Sequence, residues 1–149
     1  MQIKEMPERK TEAVRRTVSV DALPATVGKA YHEVMTYVEG EDATVVGPPF
    51  VIYHNDDMQA LDVEIGFPVD RDVGGEERVR PGLLPGGRVL SHVHVGPYST
   101  LEEAYTPLMK HIEEQGLKVT GWMYELYLNS PDDTPDADLR TEICFPLAE

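Results

Sequence analysis

A glutamate inside an aromatic segment is the residue of this sequence best suited to chemistry. If Trp122–Leu128 is an extended strand, its side chains alternate between two faces, and Glu125 shares one face with Met123 and Tyr127. A carboxylate among aromatic rings is costly to desolvate unless another group pairs with it. Such a pocket suits a lipophilic cation, through charge and cation–π contact. The alternative is a solvated face on which the acid is merely exposed, and the residues alone leave both interpretations open.

Other reactive side chains in the sequence favour structural interpretations. His92 and His94 lie two apart, hence on one face of a strand, but no third metal ligand accompanies them, so we expect no bound metal and no cofactor. Cys144 is the only cysteine and lies between Ile143 and Phe145 in a predicted strand, which favours a packed thiol over a nucleophile. The sequence contains no phosphate loop, dinucleotide fingerprint or nucleophile-elbow motif.

The elements around the glutamate follow from an internal repeat. Shifted by 74 residues, Lys29–Asn55 aligns without a gap with Glu103–Asn129, and eight of the 27 aligned positions are identical. In this alignment Glu125 corresponds to Val51 of the first half. The architecture of the repeated unit therefore does not require an acid at this position.

Each half has the pattern strand, helix, strand, strand, which predicts an α+β fold made of a duplicated module. The repeat predicts that residues 13–69 and 87–147 are two copies of one unit. They are joined over 70–86 by a segment rich in glycine, proline and charge, which favours a loop connector. Apolar residues at i, i+3, i+4 and i+7 predict helices near 24–39 and 99–115.

Local patterns refine this organisation. Ser99 and Glu102 predict a capping box at the start of the second helix. Two strands, Val14–Val20 and Arg88–Val95, lead into the helices. Under the same 74-residue shift their alternating apolar residues fall on opposite faces, which predicts a bulge or a one-residue slip in one half. A short edge strand is predicted at Ile3–Met6. The remaining strands are predicted at Phe50–His54, Leu61–Phe67, Trp122–Leu128 and Leu139–Phe145.

Four tyrosines occupy equivalent positions in the two halves. Tyr53 and Tyr127 share the face of Glu125, which makes them candidates to line a ligand site. Tyr31 and Tyr105 lie on the apolar faces of the predicted helices, and we interpret them as helix core.

Length and charge limit the classes of function. A chain of 149 residues is predicted to form one domain over 1–149. Its 13 Lys and Arg against 27 Asp and Glu give a net charge of −14. This balance argues against binding to nucleic acid or to an anionic membrane, and it favours cationic or neutral ligands. The sequence has no run of 18 apolar residues and no apolar signal core, so we expect a cytoplasmic protein.

Several short motifs together resemble one known family. They are HVGPY at His94–Tyr98, Leu101, Ala104–Tyr105, Leu108, GWMYELY at Gly121–Tyr127, Pro131, GPPFVIY at Gly47–Tyr53 and DVEIGFP at Asp62–Pro68. Through them nearly the whole chain resembles the gyrase-inhibitor-like (GyrI-like) family. That family is the small-molecule-binding domain also found as the effector-binding domain of AraC- and MerR-type transcription regulators.

The resemblance implies a curved antiparallel sheet with two helices and a central cleft at the junction of the two halves. In that family the acid of the Tyr-Glu-x-Tyr strand lies among aromatic residues and meets cationic lipophilic drugs, and here that acid is Glu125. The candidate ligand-binding residues are then Glu125, Tyr127, Tyr53, Val51, Met123, Tyr98 and Trp122.

Three functions of different classes are compatible with this sequence. The first is a standalone binding module, an effector receptor or sequestering protein for a cationic or aromatic small molecule. Because the sequence begins directly with the module, a role in transcription regulation would need a partner chain. The second is a hydrolase of reactive xenobiotics, in which Glu125 activates water and Tyr127 or Tyr53 donates a hydrogen bond. The third is a gyrase-inhibitor-like protein-interaction module, for example one that inhibits an enzyme by mimicking acidic DNA with the −14 charge. A protein partner or a homodimer is compatible with the sequence.

The binding hypothesis carries an expectation about stability. If the carboxylate is unpaired in the empty pocket, Glu125→Gln should keep or raise the melting temperature.

Overall fold

The structure is a computed structural model that describes residues 1–76 and 78–148. These residues form two α-helices, α1 (Leu23–Gly40) and α2 (Glu102–Glu114), with short 3-10 turns before each of them. They also form eight strands: β1 (Gln2–Met6), β2 (Arg9–Val18), β3 (Phe50–Tyr53), β4 (Leu61–Pro68), β5 (Arg80–Leu84), β6 (Gly87–Val95), β7 (Met123–Tyr127) and β8 (Arg140–Pro146).

The strands form one strongly curled antiparallel sheet in the order β1-β6-β8-β7-β3-β4-β2-β5. Only Pro7 and Glu8 join β1 to β2, although these strands are first and seventh in the sheet. At about 4.8 Å per strand a flat sheet would separate them by about 29 Å, so the sheet must curl until its ends meet. Pro85 and Gly86 join β5 to β6 in the same way, and the two links touch, since a Cβ on Gly86 would lie 2.7 Å from the Glu8 nitrogen.

Both helices pack on one face of the sheet. Each buries small and branched apolar residues spaced four apart: Ala30, Val34 and Val38 in α1, and Ala104, Leu108 and Ile112 in α2. On this face a row of paired residues crosses six strands: Val14, Ile65, Val51, Glu125, Ile143 and His92. α1 covers the end of the row at Val14, and α2 packs against Ile143. The pair formed by Val51 and Glu125 therefore lies at the middle of the sheet, between the helices.

The opposite face carries a second apolar core without helical residues. It contains Ala13, Phe50, Ile52, Leu84, Val89, Tyr124, Leu126 and Cys144. Cys144 is fully buried there, in agreement with its interpretation as a packed thiol. Met6 of β1 packs against this core from the edge of the sheet, because the curl brings the outer strands over it.

The predicted bulge or slip is wrong, because both lead-in strands pair without interruption. β2 pairs with β4 over Thr11–Val18, and β6 pairs with β8 over Val89–Val95. Thr11 of β2 pairs with Pro68 at the end of β4, and Val89 of β6 pairs with Pro146 at the end of β8. β2 therefore corresponds to β6 at an offset of 78 residues. The helices align at an offset of 74. The four-residue difference lies between β2 and α1, and because four is even it leaves the strand alternation unchanged. The apolar positions differ because Val14 packs in the core under α1, whereas Val89 lies in the core of the opposite face and Val93 and Val95 are exposed.

The predicted capping box is also wrong. Ser99 lies inside a 3-10 turn at Tyr98–Thr100, and no side chain caps α2. Leu101, which precedes Glu102, already has helical dihedral angles (φ −58°, ψ −38°). The chain is therefore turned before the helix starts, and Ser99 is not in the extended conformation that an N-cap requires.

The loop predicted over 70–86 contains a strand. β5 has the sequence RPGLL, in which Pro81 and Gly82 are typical of turns. β5 lies at the edge of the sheet and pairs with Arg9–Ala13 of β2, and a proline is tolerated on an edge. The same pairing explains why β2 begins at Arg9, five residues earlier than predicted. Superposition of 13–69 on 87–147 as two copies stays a prediction.

A glycine in β4 is required by a close approach between strands. A Cβ on Gly66 would lie 2.1 Å from the Glu12 carbonyl oxygen and 2.7 Å from the Ala13 Cα. Gly66→Ala should therefore lower the free energy of unfolding by about 1–3 kcal/mol or more, measured by urea denaturation. Gly28→Ala is the matched control, because Gly28 is exposed in α1 with open space around it and alanine should stabilise the helix by about 0.5–1 kcal/mol. Equal effects of the two substitutions would contradict the proposed contact.

Candidate functional site

Glu125 is a buried acid on the helix-facing side of the sheet. Its position in β7 pairs with Val51 of β3, and its side chain is only 3% exposed. The interpretation of Glu125 as a solvated surface acid is therefore wrong. Val51, its neighbour across the strands, is fully buried. One negative charge thus lies in an apolar setting at the centre of the fold, where its field is weakly screened.

Three tyrosine hydroxyls donate hydrogen bonds to this carboxylate. Tyr53 of β3 and Tyr127 of β7 donate to Oε1 at 3.1 Å and 2.7 Å. Tyr105 of α2 donates to Oε2. The donors come from two central strands and from a helix, so the carboxylate joins α2 to the middle of the sheet. We call Glu125 with Tyr53, Tyr105 and Tyr127 the tyrosine cage.

The electrostatics of the cage keep the hydroxyls protonated. Burial raises the pKa of Tyr53, Tyr105 and Tyr127 well above the usual tyrosine value, and the charge of Glu125 raises it further. Each hydroxyl therefore remains a donor, and hydrogen bonds to an ionised acceptor are the stronger kind. The carboxylate is paired by hydroxyls of the protein itself, which removes the reason to expect that Glu125→Gln would keep or raise stability.

Further aromatic rings extend the cage toward solvent. Tyr31 of α1 meets Tyr127 edge-on at 6.5 Å and donates to the Phe50 carbonyl oxygen at 3.2 Å. Tyr98 meets Tyr127 edge-on at 5.7 Å and is 40% exposed, which places it at the rim. Aromatic rings thus continue from the buried carboxylate, through Tyr127, to the exposed ring of Tyr98.

The structure brings together most of the predicted site residues but not all. Met123 lies beside the cage, with its sulfur 4.0 Å from the Tyr105 hydroxyl. Trp122 does not belong to it: its ring stacks on Tyr124 at 5.8 Å in the core of the opposite face. Strand alternation already puts Trp122 on the face of Tyr124, so the structure does not bring it together with the tyrosine cage, and its role in ligand binding stays a prediction.

The interpretation of Tyr105 and Tyr31 as plain helix core is wrong in one respect. Both pack on apolar neighbours, but the hydroxyl of Tyr105 reaches Glu125 and the ring of Tyr31 reaches Tyr127. Tyr31 and Tyr105 occupy equivalent positions on the two helices of the repeat. Equivalent positions face the junction between the two halves of the sheet, and this could have indicated that both tyrosines lie near Glu125. A tyrosine on a core face also needs a partner for its hydroxyl, and a buried acid supplies one.

The remaining polar candidates do not join this site. His94 Nε2 forms a hydrogen bond with Thr100 Oγ1 at 3.1 Å, and His92 lies at the far end of the row that contains Glu125. Within residues 1–76 and 78–148 no three His, Cys, Asp or Glu side chains are grouped as metal ligands. In the same part of the chain no helix combines the length and apolarity needed to cross a membrane.

One family model matches nearly the whole chain, and several solved structures share its fold. The model of the GyrI-like small molecule binding domain matches residues 1–148. Among solved structures, a chain of the EcmrR–DNA complex is 26% identical with a TM-score of 0.85, covering 99% of this chain and 57% of that one. The EcmrR C-terminal domain is 24% identical (TM-score 0.81, 99% and 96% covered). SAV2435 bound to tetraphenylphosphonium is 13% identical (TM-score 0.73, 99% and 93% covered) and shows the fold alone. No curated protein gives a significant match.

Proposed function

Because the chain belongs to the GyrI-like small molecule binding domain family, we propose that it binds lipophilic organic cations against the tyrosine cage. In this role it is an effector receptor or a sequestering protein. The observation that carries the proposal is a buried carboxylate at the centre of the sheet, surrounded by aromatic rings.

The cage favours bulky, delocalised cations over small amines. Both oxygens of Glu125 already accept tyrosine hydroxyls, two on Oε1 and one on Oε2, which leaves one acceptor site for a ligand with N–H donors. A quaternary cation has no such donors. It can lie against the faces of Tyr31, Tyr98 and Tyr127 and interact with the charge while the hydrogen bonds persist. The tetraphenylphosphonium bound to SAV2435 is a cation of this kind, and it is the natural first probe.

The hydrogen bonding gives less support to hydrolysis. A general base needs a free lone pair directed at a water molecule. Here three hydroxyl donors converge on the two oxygens of Glu125, and the raised pKa of Tyr53 and Tyr105 makes either of them a weak general acid. Binding without turnover is therefore the better-supported activity.

The charge requirement can be tested with two ligands of one shape. Tetraphenylphosphonium and tetraphenylborate differ mainly in the sign of their charge. A fluorescent cationic dye bound to the wild-type protein should be displaced by tetraphenylphosphonium, and at least tenfold less effectively by tetraphenylborate. Equal displacement by both ligands would mean that the site recognises shape alone, and the proposal would fail.

The class of function can be tested in the same samples. Incubation with an activated ester, followed by product analysis, should show no hydrolysis that depends on Glu125. Turnover by the wild-type protein that disappears in Glu125→Gln would replace the binding proposal with the hydrolase.

A further inference from the structure

An open cavity lies away from the tyrosine cage, between β2 and α1. It has a volume of about 500 Å³, which is within the range of small-molecule sites. We call it the β2–α1 groove. Its lining residues are Val14, Arg16, Val18, Thr26, Lys29, Ala30, Glu33 and Arg78.

The groove is cationic in a strongly acidic protein. Arg16, Lys29 and Arg78 come from β2, from α1 and from the segment before β5, and the chain has only 13 Lys and Arg against 27 Asp and Glu. Among the described lining residues Glu33 is the single acid, and its carboxylate lies 3.7 Å from the Arg78 guanidinium. These described residues carry two positive charges in excess, in a protein whose net charge is −14.

The floor of the groove is apolar. Val14 is fully buried and Ala30 is 3% exposed, and both belong to the core under α1. β5 pairs with β2 only over Arg9–Ala13, so the edge of β2 from Val14 onward is not covered by it. Val18, which is half-buried, is therefore the apolar lining residue that offers surface next to the basic side chains.

The fold itself does not require this arrangement. At the offsets that relate the two halves, Arg16 corresponds to His94 and Lys29 corresponds to Glu103. Thr26 corresponds to Thr100, whose hydroxyl is hydrogen-bonded to His94. The second half therefore has Glu103 in place of the lysine, and the hydrogen bond between His94 and Thr100 spans the equivalent space. The basic lining belongs to the first half alone.

The groove is separate from the cage. Val14 and Glu125 lie in one row of the sheet, three strands apart, which corresponds to about 14 Å. A ligand in the groove and a cation at Glu125 would not compete for space.

We propose that the β2–α1 groove binds amphiphilic organic anions, with a carboxylate head near Arg16, Lys29 and Arg78 and the apolar part of the ligand against Val18. A carboxylate matches the guanidinium donors of arginine, and an apolar tail can cover the exposed part of Val18. The protein then has two sites of opposite charge preference. This inference does not depend on the proposed cation site.

The test uses dodecanoate, measured by isothermal titration calorimetry below about 1 mM, with dodecyltrimethylammonium as the ligand of equal chain length and opposite charge. The wild-type protein should bind dodecanoate saturably. The double variant Arg16→Gln with Lys29→Gln should bind it at least tenfold more weakly, since each lost charge-assisted hydrogen bond is strong. The control Arg88→Gln with Lys110→Gln removes the same charge from exposed residues outside the groove and should stay within about twofold of wild type.

Three outcomes overturn the inference. No saturable binding by the wild-type protein means that the groove is not an anion site. Equal losses in both double variants mean that only the net charge matters. Tetraphenylphosphonium affinity should be unchanged in the groove variant, and its parallel loss would show that one site was measured twice. A failure of tetraphenylphosphonium to bind anywhere would leave the dodecanoate result standing, so the two proposals fail separately.

Discussion

Glu125→Gln should weaken the binding of tetraphenylphosphonium at least tenfold, because it removes the one buried charge that faces the ligand while preserving the shape of the side chain. Titration calorimetry on the wild-type and variant proteins measures the difference. Tyr98→Phe is the control, since Tyr98 lines the rim and its hydroxyl is not bonded to Glu125. Its affinity should change little. If Glu125→Gln binds the cation as well as the wild-type protein does, the cation site lies elsewhere.

The same variant should be less stable, in contrast to what an unpaired carboxylate would give. Three tyrosine hydroxyls lose an ionised acceptor, and the amide nitrogen of glutamine faces donors. A decrease of about 1–3 kcal/mol in the free energy of unfolding is expected from urea denaturation of the ligand-free proteins. An unchanged or increased stability would indicate that the hydrogen bonds of the tyrosine cage contribute nothing in solution.

The second large effect concerns a buried acid outside both sites. Glu12 of β2 is fully buried, and neither carboxylate oxygen has a hydrogen-bond partner among the described residues. Burial, and to a lesser extent the charge of Asp72, raise the pKa of Glu12 from 4.5 to about 7. Tyr37 of α1 also faces this region, together with Glu41 and Glu76. The surroundings of Glu12 therefore offer negative charge and apolar surface.

The sign of the pH dependence follows from the raised pKa. Between about pH 4.5 and pH 7 the folded protein holds a proton on Glu12 that the unfolded chain has released. Stability is therefore full below pH 4.5 and decreases as the pH rises to 7, by up to about 3 kcal/mol from this group.

Glu12→Leu should remove this loss and raise the melting temperature at pH 8. The residue at the same register position of the second half is Leu90, which is fully buried, so the fold accepts leucine there. Thermal unfolding at pH 5 and pH 8 measures the effect. Glu142→Leu is the control with the opposite sign, because Glu142 is buried but paired with Ser91 and Lys4, and its removal should destabilise. A variant Glu12→Leu that is less stable at pH 8 would mean that the acid has a partner in solution.

The order of the elements could be predicted because it depends on periodicity, which the sequence carries directly. Helix α1 and the central strands lie within a few residues of their predicted bounds. β5 could not be predicted, because its proline and glycine resemble a turn and only pairing with β2 makes it a strand. The prediction of a capping box was wrong because Ser99 lies inside a 3-10 turn, which the spacing of Ser99 and Glu102 does not indicate.

The site could be predicted as far as strand alternation reaches. Alternation places Glu125, Tyr53 and Tyr127 on one face, and the structure brings these three side chains into contact. The contact between Tyr105 and Glu125 depends on where α2 lies above the sheet. The pattern of residues within one helix or one strand does not give the distance between the two elements. The same limit applies to the β2–α1 groove, whose basic residues are 62 positions apart between Arg16 and Arg78 in the chain.

The short crossing links at Pro7–Glu8 and Pro85–Gly86 have a consequence for how the two halves depend on each other. The strand that begins the chain completes the second half by pairing with β6, and the strand that precedes the second half completes the first by pairing with β2. This is a reciprocal strand exchange inside one polypeptide. A cut between Asp70 and Val79 would yield two fragments that each carry an edge strand of the other. We expect such fragments to reassemble as a pair, and each to remain incompletely folded alone, because its outer strand would have nothing to pair with.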